Sequence, residues 1–176
     1  SIPCIQKEWI LEQAQDLIIL LGQHSDVGKM LCSSNPQKAE PLMEAWIEKF
    51  GDRVYLALTR TERVGEEDFI LRAAKLAAKY QIGVVAHNDV HFIEQDDFEA
   101  HEARVCIADG YVLSDDKRPK PYSPEQYFKT AEQMSELFSD IPSALENTYE
   151  IAKRCNVSLQ LGTYFLPDFP IPDGYT

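Results

Sequence analysis

The period of the hydrophobic positions changes repeatedly along the first half of the chain. Asp16-Leu17-Ile18-Ile19-Leu20-Leu21-Gly22 is an unbroken apolar run stopped by glycine, which predicts a strand buried on both faces. Lys7 to Ala14, just before it, reads as a short helix. After Pro36, the residues Ala39, Leu42, Met43, Trp46, Ile47 and Phe50 recur at helical spacing until Gly51 ends the stripe. Val54 to Thr59 predicts a second strand. Glu66 to Tyr80 is a second amphipathic helix, with Phe69, Ile70, Ala73, Ala77 and Tyr80 on one face and Arg72, Lys75 and Lys79 elsewhere. Gly83 to Ala86 is a third short strand.

Strands alternating with helices imply a parallel sheet or part of a barrel, an α/β fold. In such folds the loops after the strand C-termini carry the chemistry. Here those loops are Gly22 to Lys29, Arg60 to Gly65 and His87 to Glu94. From Asp96 onward the pattern turns helical. Asp96 or Asp97 is positioned to cap a helix that runs through Asp109 and stops at Gly110. Ser114 to Pro121 is a polar connector, and Ser123–Gln126 and Thr130–Gln133 both match the capping box. A last helix from about Ile141 carries Ile141, Ala144, Leu145, Thr148, Ala152 and Cys155 on one face. Prolines extend Leu166 to Gly174 into a linker or docking strap.

Charge narrows the function classes. The chain of 176 residues has 17 Lys and Arg against 29 Asp and Glu, a net charge of −12. That argues against a clamp that binds nucleic acid by itself, which needs a basic face to displace counterions. The imbalance is local: residues 1–88 carry 10 basic and 12 acidic groups, while residues 89–176 carry 7 and 17. Most of the acids between Asp89 and Asp109 read as a solvated surface. Cys4, Cys32, Cys106 and Cys155 include no CxxC pair and read as reduced, buried small apolar residues of a cytoplasmic protein. There is no signal-peptide pattern and no apolar run of about 20 residues, so neither secretion nor membrane spanning is expected. The absence of an initial Met suggests an excised piece of something longer.

Two familiar motifs fail on inspection. Gly22 to Met30 has five residues between its glycines where a P-loop has four, and Met30 stands where Mg²⁺ binding needs Ser or Thr. A strand stopped by glycine and followed by a short helix capped by Asp26 suffices. His101-Glu102 lacks the second His of HExxH, since Val105 holds that place. His101 shares a helix face with Phe98 and Val105 and reads as a satisfied core or boundary histidine. The sharpest chemistry is in Asn88-Asp89-Val90-His91, just after a strand, where Asp89 and His91 can aim a carboxylate and an imidazole at one ion. Two ligands do not make a tight site. The loop after the first strand adds Gln23, His24 and Asp26; the second strand and its loop add only Ala57, Thr59 and Thr61.

Several blocks together carry a family resemblance. Ala86-His87-Asn88-Asp89-Val90-His91-Phe92, Asp97 to Val105, Pro119 to Ser123, Ala144 to Thr148, Ile151 to Cys155 and Tyr164 to Pro170 resemble the PHP region of bacterial replicative DNA polymerase III alpha chains. Tyr55 to Thr61 fits a strand of the same domain. The resemblance implies the C-terminal part of a distorted (βα) barrel of PHP type over residues 1–110. Residues 111–176 would then be a helical connector and Pro-rich strap leading toward the palm. It also implies a role as part of a DNA-directed DNA polymerase, a nucleotidyltransferase of DNA replication. The palm carboxylates and their Mg²⁺ would lie elsewhere, so this piece should not polymerise DNA.

In relatives with an intact PHP metal cluster, ligands come from successive strand ends, and Asp89 and His91 match the late pair. The resemblance puts Gln23 at the place of a metal-binding Cys, Ala57 at that of a Glu and Thr61 at that of a His. Zn²⁺ or Mn²⁺ is therefore expected only if the site still functions, and Asp89 and His91 would otherwise be remnants hydrogen-bonded to each other. The implied role is structural, with docking of the proofreading exonuclease subunit; the alternative is a metal-dependent phosphoesterase or 3′–5′ exonuclease. Implied partners are the remainder of the polymerase chain, the exonuclease subunit, and DNA through the whole enzyme. Template contact by this piece would have to use Lys117, Arg118 and Lys120, which otherwise read as a solvated loop. Missing barrel neighbours would expose strand edges, so self-association of the piece is expected.

Overall fold

The computed structural model describes residues 4–164, so the Pro-rich stretch from Leu166 to Gly174 lies outside the described residues. Three parallel strands form one open sheet in the order β1 (Ile19–Leu21), β2 (Val54–Thr59), β3 (Gly83–His87). β2 is central and fully buried, pairing Leu21 to Leu56 on one side, and Leu56 to Val84 and Leu58 to Ala86 on the other. A short α1 (Lys7–Glu12) precedes β1. The crossovers are α2 (Asp26–Leu31) and α3 (Ala39–Phe50) between β1 and β2, and α4 (Glu66–Tyr80) between β2 and β3. No helix among the described residues is long and apolar enough to cross a membrane.

Each strand sends alternate side chains to opposite faces. Leu21, Val54, Leu56, Leu58 and Ala86 join Val27, Met43, Trp46, Phe50, Phe69 and Ala73 from the crossover helices in one core. Tyr55, Ala57 and Val85 form a smaller cluster with Ile18 and Ile151. Gly83 has no Cβ for a physical reason: one would lie 2.7 Å from the Tyr55 ring.

The apolar run at the start of the chain departs from the expected doubly buried strand. Only Ile19–Leu21 is strand, β1 lies at the sheet edge, and Leu17 and Leu20 are exposed. The Arg53 guanidinium accounts for the shortening. It donates to the carbonyls of Ala14, Gln15 and Leu17, holding the preceding backbone in a turn and out of the ladder. Helix α2 is capped by Ser25, whose Oγ accepts from Gly28 N–H at 3.0 Å, and not by Asp26. Gly28 packs so closely on the preceding loop that a Cβ would meet Gly22 O at 2.2 Å.

The second half adds α5 (Phe98–Asp109), α6 (Ala131–Leu137) and α7 (Pro142–Arg154). The capping box that opens α5 sits one turn earlier than expected: Glu94 and Asp97 cap each other's backbone around a 3-10 turn at Gln95–Asp97. Thr130 and Gln133 do form a capping box before α6. Ser123 and Gln126 form only half of theirs, in a turn that starts no helix: Ser123 N–H donates to Gln126 Oε1 at 2.9 Å, but Gln126 N–H bonds the Ser123 backbone carbonyl and not its hydroxyl.

Helix α7 lies along the outer edge of β3. Asn147 Nδ2 donates to the Val84 carbonyl at 2.8 Å and Thr148 Oγ1 to the Ala86 carbonyl at 3.4 Å, which covers an otherwise open sheet edge. The contact stripe runs through Ala144, Asn147, Thr148 and Ile151, so Ala152 and Cys155 are exposed. Arg154 reaches the Tyr55 hydroxyl at 2.9 Å, and Arg60 holds both carboxylate oxygens of Asp140. The cysteines also differ from expectation, since only Cys106 is buried and Cys4, Cys32 and Cys155 are exposed.

Candidate functional site

The loops after β2 and β3 meet the stretch after α5 in one polar cluster, with Gln23 and His24 of the first loop beside it. At its base is Glu66, the first residue of α4, which is only 3% exposed. Its carboxylate accepts from Thr61 N–H and Thr61 Oγ1, both at 2.6 Å, and from Arg63 N–H at 3.3 Å. An acidic group at a helix N-terminus is also favoured by the helix dipole. Arg63 adds a contact from Nε to Glu66 Oε1 at 3.4 Å, so the buried charge is both paired and hydrogen-bonded.

Arg63 then bridges to the third loop. Its Nη2 lies 2.9 Å from Asp89 Oδ2. Asp89 is held at a positive φ of 49°, a left-handed conformation that Asp tolerates better than most residues. Gln126, fully buried, donates through Nε2 to the same Asp89 Oδ2 at 2.9 Å, while its own carbonyl accepts from His91 N–H at 2.8 Å. The Ser123 hydroxyl donates to the Thr61 carbonyl. A chain of partners therefore runs Glu66, Arg63, Asp89, Gln126, Ser123 and back to Thr61.

Asp89 and His91 are brought together but do not bond each other. His91 Nε2 is 3.7 Å from Asp89 Oδ1, beyond hydrogen-bond range. His91 instead packs in an aromatic group, its ring centroid 4.7 Å from that of Tyr122 and 5.6 Å from that of His101. Phe92 completes the group at 5.4 Å from His101. His101 is buried as expected, yet its Nδ1 has no hydrogen-bond partner among the described residues. Burial, reinforced by Arg104 and His91, holds its imidazole below the ordinary histidine pKa.

The remaining expected ligand positions do not supply ligands. Gln23 lies against Gly65, where a Cβ would come within 3.3 Å of its Nε2. Ala57 is buried in the small cluster with Tyr55 and Val85, and the Thr61 hydroxyl is committed to Glu66. Asp26 points elsewhere, bonded to Lys7, to Trp46 Nε1 at 3.0 Å and to Val27 N–H. Burial raises its pKa, but those hydrogen bonds outweigh burial and leave the carboxyl below its usual value. His24 is exposed in a cleft shared with Arg63, Lys120 and Tyr122.

A tightly held Zn²⁺ or Mn²⁺ needs several anionic or imidazole donors around one point. Asp89 and His91 are the two that match, and the Asp89 oxygen Oδ2 already serves Arg63 and Gln126. This donor set does not fit such an ion. Among the described residues, no three His, Cys, Asp or Glu side chains form a metal-holding group.

In the connector Lys117 and Lys120 are exposed, as a solvated loop implies, but Arg118 is not. Arg118 forms a buried ion pair with Glu102, their side chains 10% and 4% exposed. Sequence reasoning therefore missed the roles of Arg63, Glu66 and Gln126, and gave Arg118 a solvated or template-facing place instead of its pair with Glu102. Ser123-x-x-Gln126 was a visible signal, but it pointed to a helix start; nothing in local pattern paired Arg63 with Asp89, 26 positions away.

Comparison with known proteins follows the same stretch of chain. The chain is 50% identical over 171 residues to DNA polymerase III subunit alpha of Pseudomonas aeruginosa, 97% of this chain and 15% of that protein. The same-named proteins of Haemophilus influenzae and Escherichia coli K12 are 51% and 49% identical, over 98% and 97% of this chain. No family model matches. The chain thus spans about 15% of the length of these curated relatives, and over nearly all of itself it is a homologue of one stretch of bacterial DNA polymerase III alpha subunits.

Proposed function

We propose that this chain is a segment of a replicative DNA polymerase III alpha subunit and serves there as a structural PHP-type unit, not as a nuclease. The observation that carries the polymerase reading is the identity of about half the residues over 97% of the chain. The structural role is supported by the Arg63–Asp89 pair, which sets a guanidinium where a metal-binding relative would need a divalent cation. A fixed internal cation neutralises Asp89 but offers no Lewis acid and no activated water, so hydrolysis by metal chemistry has no means here. In this reading the three-stranded sheet is the later part of a PHP barrel, residues 1–110. Residues 111–176 lead toward the palm, and the unit offers a surface to the proofreading exonuclease subunit.

The competing reading is a metal-dependent phosphoesterase, which the approach of Asp89 and His91 favours. Metal analysis of the full-length chain separates the two. We expect less than one tenth of an equivalent of Zn²⁺ or Mn²⁺ after dialysis against either ion. A stoichiometric ion, with phosphoesterase activity abolished by Asp89→Ala, overturns the structural reading. Docking is tested separately by gel filtration of the full-length chain with the exonuclease subunit, where failure to co-elute removes that half alone.

A further inference from the structure

After α7 the chain enters an uncharged segment. Asn156 to Tyr164 reads Asn-Val-Ser-Leu-Gln-Leu-Gly-Thr-Tyr and contains no charged residue and no proline, although 26% of the whole chain is charged. Val157, Leu159 and Leu161 alternate with Ser158 and Gln160, the period-two pattern of a strand with one apolar face. That face is bare: Val157 is 83%, Leu159 79% and Leu161 87% exposed. Among the described residues, none of these backbone groups has a backbone hydrogen-bond partner. This exposed apolar stretch, irregular in the structure, carries neither the charge nor the proline that usually guards against strand pairing, which marks it as a surface built to be covered.

We propose that Val157–Leu161 is a β-strand added to the edge of a sheet in the part of the longer polypeptide outside this segment, with Val157, Leu159 and Leu161 turned into that sheet's core. Main-chain hydrogen bonds would supply the pairing and the alternate side chains the register. The occupant follows from length: the relatives carry this stretch as 15% of their chains, so most of each polypeptide lies outside it. The segment leaves the body directly after α7, which is fastened to β3 and to Tyr55, so the strand has a fixed point of departure. The proposal rests on the reading of the chain as a polymerase segment.

Amide hydrogen exchange of the full-length chain tests it. Peptides covering 157–161 should exchange at least about 100-fold more slowly than the unprotected rate. Leu159→Asp combined with Leu161→Asp should raise exchange there at least tenfold and lower the Tm of the full-length protein. Exchange of wild-type 157–161 at the unprotected rate overturns the proposal, whether or not the double variant folds. Protection present only in a dimer, by light scattering at the same concentration, makes a second copy the occupant and also overturns it. A gene that encodes no polypeptide beyond this segment defeats the polymerase reading itself, a separate failure.

Discussion

The core around the central strand and the loops beyond its C-terminus are held by different physics. Below and around β2, Leu56, Leu58, Met43 and Phe69 are removed from water and depend on volume and close packing. Just beyond its C-terminus, the equally buried Thr61, Glu66 and Gln126 depend on every donor finding an acceptor. The apolar core tolerates exchange of one hydrocarbon for another of similar size. The polar cluster does not, because removing one member strands its partners in a medium that cannot solvate them. Buried polar clusters at strand ends are where α/β folds keep their chemistry. Here the same architecture satisfies its charges internally, which favours a structural use.

The sharpest way to test that contrast is to injure both regions. Phe69→Ala, in the apolar core, should destabilise by about 3–5 kcal/mol in urea unfolding. Arg63→Ala should cost about 2–3 kcal/mol, since Glu66 and Asp89 lose their shared cation. If Arg63→Ala is neutral, the polar cluster is ornamental and the comparison breaks. At the sheet edge, Asn147→Ala should cost about 1 kcal/mol and speed amide exchange in β3. The pH dependence should be smaller. The Asp26 carboxyl has its pKa lowered by folding, so its contribution is present above the unfolded value of 3.8 and lost as the pH falls below it. Asp26→Asn should flatten that acid limb in a Tm-against-pH series. Smallest of all, Glu150→Gln should change stability by less than about 0.5 kcal/mol, because its pair with Lys153 is more than half exposed.

Much of the framework was legible because it depends on local periodicity. The strand Val54–Thr59, the helix Glu66–Tyr80 and the helix stops at Gly51 and Gly110 were all readable from spacing and glycine placement. The first strand was misread because an apolar run does not reveal whether it will be central or at an edge. Nor does it reveal that Arg53, far along the chain, holds the carbonyls just before the strand. Two identical-looking capping boxes diverged for a similar reason: Thr130 Oγ1 accepts from Gln133 N–H and starts α6, while the Ser123 hydroxyl turns to the distant Thr61 carbonyl and Gln126 N–H bonds the Ser123 carbonyl. Asp89 and His91 stood out as candidate ligands, but their real partners, Arg63, Gln126 and Tyr122, come from other loops.

The sequence by itself determined the α/β alternation, the positions of the strand-end loops and the kinship with polymerase alpha chains. Those follow from hydrophobic period, turn residues and the order of matching blocks. Only the tertiary structure decided what the strand-end loops do. Whether a carboxylate binds a metal or an arginine depends on which cation the fold delivers to within about 3 Å, and Coulomb and hydrogen-bond energies fall steeply with that distance. Here the fold delivers Arg63 to Asp89 at 2.9 Å. It also leaves Val157, Leu159 and Leu161 bare, a fact that alternation in the sequence hints at and only solvent exposure establishes.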